Sequence, residues 1–326
     1  MSGPGTSASP RVFVVGCERS GTTLLQRMLD AHPELAIAYE THFLAKLARR
    51  SGGDPERPLD DALASIALEH RTFDRLGIST EDAAAARAST TVGAFVAALY
   101  EAHARAQGKR FAGEKSPHFV KVLPLLAGLL PASLCIHIVR DGRDVALSML
   151  DWERSKEKRP GKGPWALGLW QEEPLAVCAL WWASYLHSGD RGRAALGEAR
   201  YREVSYEQLI DAPQETLAAL CGFLGLPDAP EMHAFHLGRG AESEGASSKD
   251  RWLPPTAGLR DWRSRMEPAR LELFEALVGG VLEAHGYMRG ASSIGVAARE
   301  RAARCIAWWQ ENVSHEDMQL PEVVGQ

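Results

Sequence analysis

The chain has 326 residues, 45% hydrophobic and 24% charged, a balance that excludes a disordered or fibrous chain and allows one large domain or two modest ones. Thirty-seven Lys and Arg against 42 Asp and Glu leave a net charge of −5, so no nucleic-acid partner is expected. Any anion site must be a local concentration of cations in an acidic shell. The cysteines at 17, 135, 178, 221 and 305 stand singly without a C-x-x-C pair, which argues against a zinc ribbon or a disulfide framework. Residues 1–10 are Ser/Gly/Pro-rich and lack an apolar run, so they read as a disordered tail rather than a secretory signal. No stretch approaches the roughly 18 apolar residues of a membrane span. A cytoplasmic protein without a membrane partner is the expectation.

Taken in chain order, Arg11–Gly16 is a short apolar run rich in β-branched residues, the pattern of a buried parallel strand. Leu24, Leu25, Met28 and Leu29 then form one helical stripe that Pro33 ends. Residues 58–108 alternate Ala-rich helical pattern with charges and read as helices packed on a sheet. Ser133–Val139 is a second strand, with Asp141 as N-cap of the helix through Val145 and Met149. Tyr201–Ser205 reads as a third strand, followed by helices through Leu226. Residues 152–182 hold five of the nine tryptophans around a Lys/Arg/Gly/Pro-rich stretch, and read as a mobile lid and acceptor region; the plainer alternative is a surface loop with core aromatics behind it. Residues 294–313 suggest a peripheral amphipathic helix, and 314–326 a frayed tail. Strands alternating with helices predict an α/β fold, a P-loop-type parallel sheet flanked by helices on both faces, with a helical C-terminal extension.

Gly16-Cys17-Glu18-Arg19-Ser20-Gly21-Thr22-Thr23 lies between a predicted strand and a helix, where backbone N–H groups and a helix N-terminus can face an anion. The nucleoside-triphosphate version of this loop has Lys after the second Gly, followed by Ser or Thr for magnesium. Here Thr22 takes the lysine position and the cation, Arg19, lies inside the loop. A smaller phosphate held by hydroxyls and one guanidinium suits it better than a γ-phosphate with its metal. Arg140 closes the strand 133–139, and Ser148 follows about two helical turns later. Because ligands gather at the carboxyl ends of parallel strands, two such ends carrying Arg and hydroxyls suggest a nucleotide with phosphates at two places.

These segments resemble the sulfotransferases that use 3′-phosphoadenosine 5′-phosphosulfate (PAPS). Arg19-Ser20-Gly21-Thr22-Thr23 is similar to their 5′-phosphosulfate loop, and Val139-Arg140-Asp141-Gly142-Arg143-Asp144 with Ser148 to their 3′-phosphate segment. The match is nearest the tyrosylprotein sulfotransferase-like bacterial branch through Met28–Pro33, Glu40-Thr41, Glu114-Lys115-Ser116-Pro117 and Tyr206–Leu209. It runs over about residues 11–285, so residues 11–290 are expected to be the sulfotransferase domain and 291–326 a C-terminal helix and tail.

The resemblance implies transfer of a sulfuryl group from PAPS to a hydroxyl or amine by in-line displacement, leaving adenosine 3′,5′-bisphosphate, with no metal. It implies Glu40 as the base for the acceptor proton, Lys115 near the leaving oxygen, and Arg19, Ser20, Gly21, Thr22, Thr23, Arg140 and Ser148 on the donor. Tyr206 would stack on or edge the adenine, and Lys249 would close over the 3′-phosphate. His42 is a second candidate base, since other branches use histidine. The tyrosylprotein pattern has Arg there for acidic peptides, so His42 points toward a small-molecule acceptor. A P-loop nucleotide or small-molecule kinase, opposed by Thr22, and a non-catalytic nucleotide-binding protein remain the alternatives. The acceptor and the oligomeric state are not legible in the sequence.

Overall fold

The computed structural model describes residues 10–154, 163–237, 261–313 and 318–326. Five strands, β1 (Arg11–Gly16), β2 (Leu35–Tyr39), β3 (Phe111–Lys115), β4 (Leu134–Val139) and β5 (Tyr201–Ser205), form one sheet in the order β2-β3-β1-β4-β5. All four pairings are parallel. Each connection between successive strands carries at least one helix, which a parallel crossover requires. β1 is buried along its whole length, and its apolar, β-branched sequence suits a central strand covered on both faces.

Two apolar clusters sandwich the sheet. The larger one gathers Phe43, Phe95, Leu126, Trp182, Tyr185 and Phe274; the smaller one places Leu25, Leu29, Leu217 and Leu220 against Val12, Val14 and Ile136 of the sheet. Side chains alternate along β1, so Phe13 and Val15 enter the first cluster while Val12 and Val14 enter the second. The register lines up the carboxyl ends: Tyr39 faces Lys115, Gly16 faces Ile138, and Val139 faces Ser205. The chain leaves β1 toward β2 on one side and later crosses to β4 on the other, so the loops after β1 and β4 diverge and leave a crevice between them.

The tryptophan-rich region is largely interior. Pro174 opens a long helix to Leu196 that buries Trp181 and Trp182, and Trp170 is buried just before it. Trp170, Trp181 and Trp182 are thus the core aromatics of the plainer alternative, while residues 155–162, in the middle of the expected lid and acceptor region, lie outside the described residues. The expected frayed end also differs from what is found. In the helix Val296–Asn312, Trp309 is buried and its Nε1 donates to the Met318 carbonyl at 3.0 Å. The Gly325 amide donates to the Leu277 carbonyl at 2.8 Å, returning the last residues to the helix Pro268–Ala284. Among the described residues no helix is long and apolar enough to cross a membrane.

A buried charge network ties this C-terminal part to the sheet. Arg143 donates to both carboxylate oxygens of Asp141 and, at 2.8 Å, to Glu275, which also accepts from the amides of Gly290 and Ala291. Glu275→Ala would leave the buried Arg143 guanidinium short of a partner and free two amides, and is expected to destabilise the fold by about 3–5 kcal/mol. A fall in the urea midpoint at unchanged slope is the check.

Candidate active site

The loop after β1 reverses the chain within a few residues. Arg19 (φ 71°) and Gly21 (φ 95°) both take the left-handed region, and the helix Thr22–Asp30 starts immediately afterwards. Gly21 is required twice: by that φ, and because a Cβ there would lie 2.4 Å from the Tyr206 ring. The Ser20 amide closes the turn on the Cys17 carbonyl at 3.2 Å.

The loops after β1, β4 and β5 meet here. Arg19 Nε donates to Ser148 Oγ at 3.0 Å, on the helix Gly142–Arg154 that follows β4. Asp141 caps that helix by accepting from the Arg143 amide at 2.9 Å. Arg140 Nη1 donates to the Arg19 carbonyl at 3.4 Å, and its guanidinium lies over the Tyr206 ring, 4.2 Å from the centroid. Asp144 stands 3.5 Å from Arg140 and accepts from the Trp262 amide at 2.9 Å; burial raises its carboxyl above the ordinary range despite Arg140. Arg19, Ser20, Gly21, Arg140, Ser148 and Tyr206 thus come together. Ser20 Oγ and Arg140 Nε are buried without a hydrogen-bond partner among the described residues, two donors left over in one place. Lys249 lies outside the described residues.

On the other side of β1, Lys115 ends β3 with its side chain fully buried. Its Nζ donates to Glu40 Oε1 at 2.5 Å and to Thr23 Oγ1 at 3.3 Å, and sits over the Tyr39 ring, 3.7 Å from the centroid. The Lys115 carbonyl accepts from the Glu40 amide at 2.9 Å, and Arg75 holds the Glu40 carbonyl at 2.6 Å. Burial works against charge on Glu40, but the Lys115 ammonium and its hydrogen bond outweigh it and hold the carboxyl below the ordinary range. His42 Nε2 is 3.7 Å from Glu40 Oε2, beyond hydrogen-bond reach. Burial lowers the His42 imidazole to about 4, so it is uncharged at neutral pH.

Several residues around this centre carry no distinguishing pattern in the sequence. Glu18 Oε2 accepts from Trp181 Nε1 at 3.0 Å and its Oε1 from Tyr185 OH at 2.8 Å, with His118 at 3.3 Å. A carboxylate inside a phosphate-type loop was the available clue, since it demands partners that turn it away from an anion. Tyr39, Arg75 and the groups around Thr41 offered no such clue.

A family profile described as "Sulfotransferase family" matches residues 10–230. The protein-tyrosine sulfotransferase 2 of Gallus gallus is 28% identical over 218 residues, 67% of this chain and 51% of that protein, so the chain spans about half of that relative's length. The nodulation protein NoeE of Sinorhizobium fredii is 26% identical over 322 residues, covering 91% of this chain and 73% of that protein. Among solved structures, a sulfotransferase domain from the curacin biosynthetic pathway superimposes with a TM-score of 0.52 at 20% identity, covering 91% of this chain and 97% of that one, a likeness of fold. With the profile covering both strand-end segments and all five strands of the sheet, this chain belongs to the sulfotransferase family.

Proposed function

We propose that the protein transfers a sulfuryl group from PAPS to a hydroxyl or amine of a small-molecule acceptor, through residues 11–290. The observation that carries this is the meeting of the Arg19 loop, Arg140–Ser148 and the Lys115–Glu40 pair at adjoining carboxyl ends of β1, β4 and β3. The buried, unmatched Ser20 hydroxyl and Arg140 Nε are what a doubly phosphorylated nucleotide would satisfy. When bound, such a donor supplies an electrophilic sulfur and a phosphate leaving group. Arg19, Ser20, Thr22 and Thr23 would hold its 5′ end, Arg140 and Ser148 its 3′-phosphate, and Tyr206 would flank the base.

Glu40 takes the acceptor's proton at its carboxylate, which stays ionised at neutral pH. Lys115 carries positive charge beside Thr23 and offsets negative charge growing on the leaving oxygen. Since Lys115 is paired to Glu40, proton uptake by Glu40 frees the ammonium for that task. His42 lies at the edge of this pair. Uncharged at neutral pH, it offers an acidic peptide no cation, which supports the small-molecule reading over a tyrosine in a protein.

Mass analysis of products formed from PAPS with phenols, alcohols, amines and an acidic tyrosine peptide tests the assignment. Sulfated small molecules are expected; sulfation of the peptide alone would reassign the acceptor, and turnover with ATP in place of PAPS would make the protein a kinase. By calorimetry, adenosine 3′,5′-bisphosphate should bind more tightly than adenosine 5′-monophosphate. Arg140→Ala should weaken the bisphosphate by about ten- to a hundredfold, the usual cost of a charged hydrogen bond of about 1.5–3 kcal/mol. Equal wild-type affinities for the two nucleotides would remove the 3′-phosphate site.

A further inference from the structure

Glu114 precedes Lys115 in β3 and is fully buried. Its Oε1 accepts from the Thr41 amide at 2.6 Å. Its Oε2 accepts from Thr41 Oγ1 at 2.7 Å and from Tyr100 OH, on the helix Val92–Ala106, at 2.5 Å. Thr41 lies between Glu40 (φ 46°) and His42 (φ 61°), two non-glycine residues in the left-handed region. Such conformations persist only where the surroundings over-determine them, and they collect at functional sites.

Here the surroundings can be accounted for group by group. The Glu40 amide and carbonyl are held by the Lys115 carbonyl and Arg75; the Thr41 amide is held by Glu114 and its carbonyl by Thr72. Only a carboxylate accepts from all these hydroxyl and amide donors without presenting a donor of its own. Because strand side chains alternate, Glu114 and Lys115 act from opposite sides of β3. One fixes the backbone of the turn; the other meets the carboxylate that the turn projects.

We propose that Glu114 is a positioning residue for the base: its buried carboxylate clamps the Glu40–His42 turn and so aims the Glu40 carboxylate at Lys115. This rests on the sulfotransferase reading of the site. Burial pushes the Glu114 carboxyl up to about 7, against the hydrogen bonds from Tyr100 and Thr41 that lower it. Protonation would remove the charge and part of the acceptor capacity on which the Thr41 amide and the two hydroxyls converge, and so loosen the turn. The other groups around it keep their charge near neutrality. Burial holds the Tyr100 phenol well above its ordinary value, with Arg11 and Glu101 paired behind it. Burial also lowers His42 to about 4 and His103 below its ordinary value, while Arg75 donates to the Glu40 carbonyl.

The experiment measures kcat, KM and bisphosphate affinity from pH 5 to 9 for the full chain and for Glu114→Gln and Tyr100→Phe. Wild type should show an acid-side step in kcat near pH 7. Glu114→Gln should lose that step and lower kcat by about 10- to 100-fold, the scale of a misaimed catalytic group. Bisphosphate affinity should stay within about twofold, because the turn lies across β1 from the Arg140 site. Tyr100→Phe removes a hydrogen bond that lowers the Glu114 pKa, so the step should move to higher pH; this variant decides the matter if Glu114→Gln does not fold. Thermal midpoints supply a readout independent of turnover. A carboxyl raised by folding contributes stability below its unfolded pKa that is lost as pH rises through about 7, and Glu114→Gln should abolish that decline. An unchanged kcat and step in Glu114→Gln, a step unmoved by Tyr100→Phe, or joint loss of bisphosphate binding would overturn the clamp. Absence of transfer by the wild type would instead overturn the functional reading beneath it.

Discussion

Replacing Glu40 with Gln is expected to lower the single-turnover rate by roughly 10²–10⁴ while bisphosphate affinity stays nearly constant. The amide keeps the shape and can still accept from Lys115 Nζ, so the 2.5 Å contact need not be lost with the charge. What it lacks is a place for the acceptor's proton. The nucleotide contacts proposed for Arg19, Arg140 and the loop are untouched, which separates a chemical defect from a binding defect. His42→Ala should have the smaller effect, since its ring stands 3.7 Å from the Glu40 carboxylate, beyond hydrogen-bond reach. If His42→Ala abolishes the single-turnover rate while Glu40→Gln leaves it near normal, the base is His42. The sulfotransferase assignment would survive that result.

Lys115→Met should lower kcat by about 10²–10³, the scale of removing one group that stabilises charge on a leaving oxygen. Met retains most of the buried stem, so packing beside Tyr39 changes little and the lost element is the charge. A second consequence follows for Glu40. In the wild type its carboxyl is held below the ordinary range, so it contributes stability above the unfolded pKa that is lost as pH falls through the folded value. Without Lys115, burial dominates and the carboxyl rises. The variant should therefore lose this stabilisation at neutral pH, and its thermal midpoint should fall less steeply toward acid than that of wild type. A neutral-pH midpoint equal to wild type, with parallel pH curves, would show that the pair contributes nothing to the fold.

Much of the α/β architecture was legible because β1 and β4 are apolar, β-branched and closed by recognisable turns. The paired strand-end segments were legible for a related reason: Gly21, Arg19 and Arg140 are residue types demanded by backbone geometry or by charge. β2 and β3 were harder to read. Leu35–Tyr39 carries two alanines, and Phe111–Lys115 carries a glycine, a glutamate and a lysine, compositions with little intrinsic strand preference. Pairing with β1 and with each other makes them strands, which is a tertiary effect.

The sequence by itself determined that the chain holds a Gly-rich loop without the triphosphate lysine and a second arginine at another strand end, and its resemblance to the sulfotransferases singled out Glu40 and Lys115. Only the tertiary structure decided which charges are neutralised and by what. Lys115 reaches Glu40 across 75 positions of chain, and Glu18 meets Trp181 across 163. It also decided that Trp182 is core and that the last residues pack onto the helix Pro268–Ala284. A residue type announces the chemistry it can do, because that is a property of its own atoms. What a carboxylate does with that chemistry depends on burial and on partners that the fold brings from distant positions, so the different surroundings of Glu18, Glu40 and Glu114 exist only once the sheet has assembled around them.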